Sequence, residues 1–134
     1  MALVVPGREA VCGRCKAALD VGGHPTELRP ADFDGAVSHA PVPLLVDFWA
    51  PWCGPCGAMA PVLDDLGRAL AGRMVVAKLN VDDAPDLAGR LGIQGIPTMI
   101  LFRGGKEVER LVGARSFADL RQAVESASLS IPAQ

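Results

Sequence analysis

This sequence has no strong charge of either sign, few aromatic residues and no apolar run long enough for a bilayer. Of its 134 residues, 13 are Lys or Arg and 15 are Asp or Glu, a net charge of −2. Binding a phosphate backbone requires a dense basic face, so this balance argues against a nucleic-acid partner. The longest apolar runs, near Leu44 and Val75, fall far below the ~18 residues of a membrane span, which argues against a membrane partner. The segment Met1–Glu9 has neither a basic leader nor an apolar core of about 7–15 residues, so no secretory signal is expected and the chain reads as cytoplasmic. Repeats and low-complexity blocks are also missing. Half of the residues are apolar, 4% are aromatic and 21% are charged, the balance of an ordinary globular domain.

What the sequence does have is cysteine in pairs: Cys12-Gly13-Arg14-Cys15 and Cys53-Gly54-Pro55-Cys56. In a reducing cytosol, such pairs are more often metal-binding or redox-catalytic than structural. The first 25 residues lack regular periodicity and end in Gly22-Gly23-His24-Pro25, a boundary signal. The expected organisation is therefore an N-terminal extension over 1–25, a main domain over 26–128 and a tail over 129–134.

Along the main domain, the pattern predicts a short extended stretch around Glu27-Leu28 and a helix near Pro30–Ser38. The run Leu44–Ala50 is continuously apolar except for Asp47, as expected of a strand covered on both faces. Met59, Val62, Leu66 and Leu70 repeat at helical spacing from Pro55 to Ala71, with Pro61 inside the pattern and Gly72 after it. Met74–Val81 predicts a second buried strand, interrupted by Lys78, and Pro85–Leu91 a short helix ending at Gly92. Thr98–Arg103 and Lys106–Val112 are predicted strands joined by Gly104-Gly105, a two-residue hairpin signal. A helix opening at Ser116 carries Phe117, Leu120 and Val124. The order β-α-β-α-β-α-β-β-α implies an α/β fold: a mixed central sheet with helices on both faces and an antiparallel last pair.

The pair Cys53/Cys56 falls between a buried strand and the start of the longest helix. Sulfurs at i and i+3 in a first helical turn lie within disulfide reach. Cys53 is expected as the exposed thiol at the helix N-terminus, where free N–H groups and the positive dipole end stabilise a thiolate. Cys56, one turn in, is expected to be more shielded. Asp47 is a carboxyl inside an apolar strand six residues before Cys53, and burial should raise its pKa. It is placed to take and return the proton of Cys56, with Lys78 on the neighbouring strand offsetting its charge.

The stretch Val46-Asp47-Phe48-Trp49-Ala50-Pro51-Trp52-Cys53-Gly54-Pro55-Cys56 resembles the active-site segment of the thioredoxin family. The resemblance runs from about Thr26 to Ser126 and includes Ala60-Pro61, Lys78-Leu79-Asn80-Val81-Asp82, Gly95-Ile96-Pro97-Thr98, Gly104-Gly105 and Val112-Gly113-Ala114. It implies a thioredoxin fold and reduction of protein disulfides by dithiol–disulfide exchange, a role in cell redox homeostasis. It also implies disulfide-containing protein substrates, electrons from a thioredoxin reductase, and no cofactor beyond a redox-active Cys53–Cys56 disulfide. Carried over by position, Cys53 is the attacking nucleophile, Cys56 the resolving cysteine and Asp47 the buried proton-transfer carboxyl. Gly54 and Pro55 tune the potential, and Ile96-Pro97 form a cis-proline loop facing the sulfurs. Trp52, Ile96, Pro97 and Gly113 form the apolar rim that receives substrate.

Two residues depart from the family pattern: Gly57 and Gln94 stand where basic residues are usual, which should weaken thiolate stabilisation and alter partner choice. The alternatives are a thiol oxidant or isomerase, against which Gly54-Pro55 argues, and a non-catalytic binding module. Cys53, Cys56, Asp47 and Pro97 together argue against the latter. The front pair resembles the second of the two cysteine pairs in the zinc-binding extension of the thioredoxin-2 type, but the first pair is missing here. A structural zinc site takes four ligands, and Cys12 and Cys15 find at best His24 as a third, so a reduced or vestigial pair is favoured and no metal is expected.

Overall fold

A computed structural model of the chain describes residues 9–11, 18–20 and 24–129. Among the described residues, seven strands and four helices follow one another: β1 (Glu9–Val11), β2 (Ala18–Asp20), β3 (Thr26–Glu27), α1 (Phe33–His39), β4 (Leu44–Trp49), α2 (Gly54–Ala69), β5 (Val75–Asn80), α3 (Pro85–Leu91), β6 (Thr98–Arg103), β7 (Lys106–Val112) and α4 (Phe117–Leu129). Short 3-10 turns at Pro30–Asp32 and Val81–Asp83 lead into α1 and α3. From residue 26 onward the element order matches the order expected from the sequence. In front of it stands an unexpected feature: β1 and β2 pair antiparallel, with Glu9 opposite Asp20 and Val11 opposite Ala18. Three-residue strands are too short to carry a readable alternation. The cysteines Cys12 and Cys15 lie outside the described residues.

The main sheet has the order β3-β5-β4-β6-β7. β3 and β4 run parallel to β5, whereas β6 and β7 are antiparallel to their neighbours. The β6–β7 hairpin turns on Gly104 and Gly105, both at positive φ (61° and 81°), the backbone that a tight two-residue turn needs and that glycine adopts without steric cost.

Side chains alternate across this sheet and separate two cores. On one face, Leu44, Val46 and Phe48 of β4 meet Phe33 and Ala36 of α1 and Leu87 of α3. On the other, Leu45 of β4 and Met99 and Leu101 of β6 meet Met59, Leu63 and Leu66 of α2 with Leu120 and Val124 of α4. Burial on both faces explains the unbroken apolar run of β4. By the same alternation, Asp47 and Trp49 follow Leu45 onto the face covered by α2. Among the described residues, no helix is long and apolar enough to cross a membrane.

Candidate active site

Three elements converge at the end of β4: the N-terminus of α2, the Val81–Asp83 turn after β5, and the loop entering β6. Cys53 caps α2 in extended backbone geometry, and the Cys56 N–H donates to Cys53 Sγ at 3.2 Å. Pro55 occupies the first turn, where its missing N–H costs nothing. Cys53 and Cys56 form a disulfide, with Cα atoms 5.3 Å apart. Beneath it, Ala50 completes a small apolar cluster flanked by Trp49, Val81 and Ile96.

The helix-start position of Cys53 predicts an exposed thiol. In this oxidised state it is 8% exposed, against 4% for Cys56, so both sulfurs are largely covered and Cys53 only slightly less. The cover on Cys53 comes from Ile96, whose carbonyl oxygen lies 3.8 Å from Cys53 Sγ. What projects instead is the neighbouring side chain: Trp52 is 70% exposed. Its indole N–H donates to both carboxylate oxygens of Asp82, at 3.1 Å each. Asp82 is itself fixed by its backbone N–H donating to the Asn80 side chain at 2.9 Å.

The Ile96–Pro97 bond is cis, as the resemblance implies. Pro97 is buried and Ile96 half-buried. Gly113, at φ 94°, donates its N–H to the Pro97 carbonyl at 2.8 Å, tying the end of β7 to this loop. Thr98 Oγ1 donates to the Gly95 carbonyl from the other side. Thus Trp52 precedes Cys53 in the chain and Ile96 packs beside the disulfide, with Pro97 and Gly113 joined to each other in the adjoining loop. Exposed Val112 extends the same apolar surface.

Asp47 is 1% exposed, and its Oδ1 meets no hydrogen-bond partner among the described residues. Burial pushes its carboxyl up to about 7; the Lys78 ammonium pulls it down and the Glu27 carboxylate pushes it up, both more weakly. Lys78 stands directly opposite Asp47 across the β4–β5 ladder. Its Nζ lies over the Trp49 ring, 4.7 Å from the centroid. The Trp49 Nε1 is likewise buried without a partner among the described residues. Two charged neighbours escaped the sequence reading. Glu27 joins through the parallel β3–β5 pairing and Asp82 through the indole bond, and no local pattern announces either. Among the described residues, no group of three or more His, Cys, Asp or Glu side chains is placed to hold a metal ion.

This geometry has clear parallels. The family model described as Thioredoxin matches residues 24–126. The chain is 42% identical over 99 residues to Thioredoxin 1 of Nostoc sp., a match covering 74% of this chain and 92% of that one. It is 51% identical over 86 residues to the thioredoxin of Alicyclobacillus acidocaldarius, covering 64% and 81%. With the chloroplastic M-type thioredoxin of Zea mays it shares 47% over 83 residues, 62% of this chain but only half the length of the maize protein. Among solved structures, a mutant thioredoxin from Halobacterium salinarum NRC-1 superposes with a TM-score of 0.73 at 33% identity, covering 82% of this chain and 96% of that one.

Proposed function

Because this chain belongs to the thioredoxin family and is a thiol–disulfide oxidoreductase, we propose that it reduces disulfides in protein substrates through Cys53 and Cys56. The observation that carries the reading is the disulfide at the start of α2, in which the Cys56 N–H donates to Cys53 Sγ. The same N–H and the positive end of the helix favour a thiolate at Cys53 once the pair is reduced.

In the proposed cycle, the Cys53 thiolate attacks one sulfur of a substrate disulfide. A Cys53–substrate bond forms, the substrate S–S bond breaks, and the first substrate thiolate leaves. Asp47, ionised in part at neutral pH, takes the proton of Cys56. The Cys56 thiolate then attacks Cys53 Sγ, releasing the second substrate thiolate, which the Asp47 carboxyl protonates. Two electrons pass from the dithiol to the substrate, and the protein is left with the Cys53–Cys56 disulfide. The dithiol is the redox group throughout, so the reaction as proposed uses no cofactor and no metal.

Gly54 and Pro55 would set the potential by shaping the turn between the sulfurs. Trp52, Ile96, Pro97 and Gly113 would receive the substrate backbone. A thioredoxin reductase would restore the dithiol, making the chain an electron carrier between that enzyme and its targets. A reducing compartment such as the cytoplasm suits a dithiol donor. The catalytic unit is taken as residues 26–128, with 1–25 as an extension and 129–134 as a tail.

The test is reduction of insulin disulfides with a small dithiol as donor. Cys53→Ser should abolish turnover, whereas Cys56→Ser should accumulate mixed disulfides visible by mass. Turnover by Cys53→Ser at the parent rate would overturn the assignment.

A further inference from the structure

The sheet register sets three ionisable side chains in one row. Glu27 on β3 is paired with Lys78 on β5, and Lys78 is paired with Asp47 on β4. Residues in register across parallel strands point to the same face, so the row lies on the side covered by α2. It runs from an exposed carboxylate at the edge strand, through a half-buried ammonium, to a buried carboxyl.

Lys78 thus has a carboxyl group on either side. Among the described residues it closes no ion pair within 4.0 Å, and its Nζ rests over Trp49. Among the described side chains, the charges that act on Asp47 are those of Lys78 and Glu27. β6 places Met99 opposite Asp47, and α2 contributes Met59 and the Cys53–Cys56 pair to this side of the sheet. Among the described residues, Glu27 is therefore the carboxylate outside Asp47 that the register sets beside Lys78.

We propose that Glu27 is a positioning residue for the exchange reaction: in register beside Lys78 on the edge strand, its carboxylate offsets the ammonium charge that faces Asp47 and so preserves the proton on the buried carboxyl. The proposal rests on the proton-carrying role given to Asp47 above. A proton carrier must release what it takes, and a carboxyl locked to an ammonium gives up its proton too readily to serve near neutral pH. The Glu27 carboxylate pushes the Asp47 carboxyl up where the Lys78 ammonium pulls it down.

Two strand spacings separate Glu27 from Asp47, roughly 10 Å. At that distance, removing one charge should lower the Asp47 titration midpoint by roughly 0.3 to 1 pH unit, depending on how much water screens the row. Carbon NMR of the Asp47 carboxyl in the oxidised full-length protein reads this directly. In Glu27→Gln the midpoint should fall from about 7 by that amount. In Glu27→Asp, which keeps the charge, it should stay within a few tenths of the parent. In Lys78→Met, which removes the ammonium, the midpoint should instead rise, and a fall would overturn the opposing roles given to Lys78 and Glu27. The pH profile of mixed-disulfide resolution by Cys56 should move with the midpoint. An unmoved midpoint in Glu27→Gln overturns the coupling. A moved midpoint with an unmoved rate profile instead overturns the proton-carrying role of Asp47, and with it any part for Glu27 in the reaction. Loss of turnover in Cys53→Ser is unaffected by either result, so the two readings fail separately.

Discussion

Replacing Asp47 with Asn should stabilise the oxidised protein at alkaline pH and leave it nearly unchanged in acid. Asp47 is 1% exposed, and burial raises its carboxyl from 3.8 to about 7. The native state therefore keeps a proton that the unfolded chain releases, and unfolding becomes easier as pH rises through that window. Below pH 3.8 both states are protonated and the group contributes nothing to the pH dependence. Between 3.8 and 7 stability falls by about 1.4 kcal/mol per pH unit, and above 7 the loss is complete. Three units of difference amount to about 4 kcal/mol, a large share of the 5–15 kcal/mol typical of a domain. Asn has nearly the same volume and stays neutral, so it avoids this cost while leaving no cavity. Its buried amide is as poorly partnered as the protonated acid, so the two proteins should match near pH 4. The assay is urea unfolding of oxidised parent and Asp47→Asn at half-unit steps from pH 4 to 8.5, followed by far-UV circular dichroism. All other titrating groups are common to both, so the difference isolates Asp47. A difference that stays flat with pH, or a parent more stable than the variant at pH 8, refutes the buried-acid argument.

Two further outcomes follow from other parts of the structure. Asp82→Ala should free the Trp52 indole, whose N–H it accepts at 3.1 Å. Re-ordering one such side chain costs about 0.5–1.5 kcal/mol, so KM for a protein disulfide should rise about 2- to 10-fold with little change in thermal stability. An unchanged KM would show that Trp52 needs no anchoring. Phe33→Ala should cost about 3–5 kcal/mol in urea unfolding, because the ring packs at 6.1 Å from Phe48 and 5.5 Å from Phe102 in the core between α1 and the sheet. A loss below about 1 kcal/mol would mean that this core closes over the deletion.

The parts of the molecule that could be read in advance are those whose cause is local. The apolar run of β4, the Gly104-Gly105 turn and the spacing of Cys53 and Cys56 each act over a few residues, and each yields its element. The anomaly of Asp47 in an apolar strand is also local, and its raised pKa follows from burial alone. Pairing between distant segments leaves no such mark. Nothing in Thr26-Glu27 says that this short strand lies parallel to β5, yet that pairing puts Glu27 beside Lys78. The bond from Trp52 to Asp82 spans thirty residues. The burial of Cys53 has no local mark, because helix-start residues are usually open to solvent and the cover comes from Ile96, forty-three residues away. The β1–β2 ribbon fell below the length at which alternation is visible.

The outer strand of the sheet has a consequence for behaviour at high concentration. β7 is the last strand in the order, so among the described residues one side of its backbone has no sheet neighbour. Such an edge is a template for adding a strand from another chain, which begins aggregation. Here the strand reads Lys106-Glu107-Val108-Glu109-Arg110-Leu111-Val112, with Arg110 and Glu107 joined at 2.8 Å. An exposed ion pair of this kind adds little to folding stability. Its effect is on the approach of a second edge, which would have to strip water from Lys106, Glu107, Glu109 and Arg110 together before any backbone bond could form. Resistance to strand-on-strand association is thus written into four charged residues that take no part in the redox chemistry.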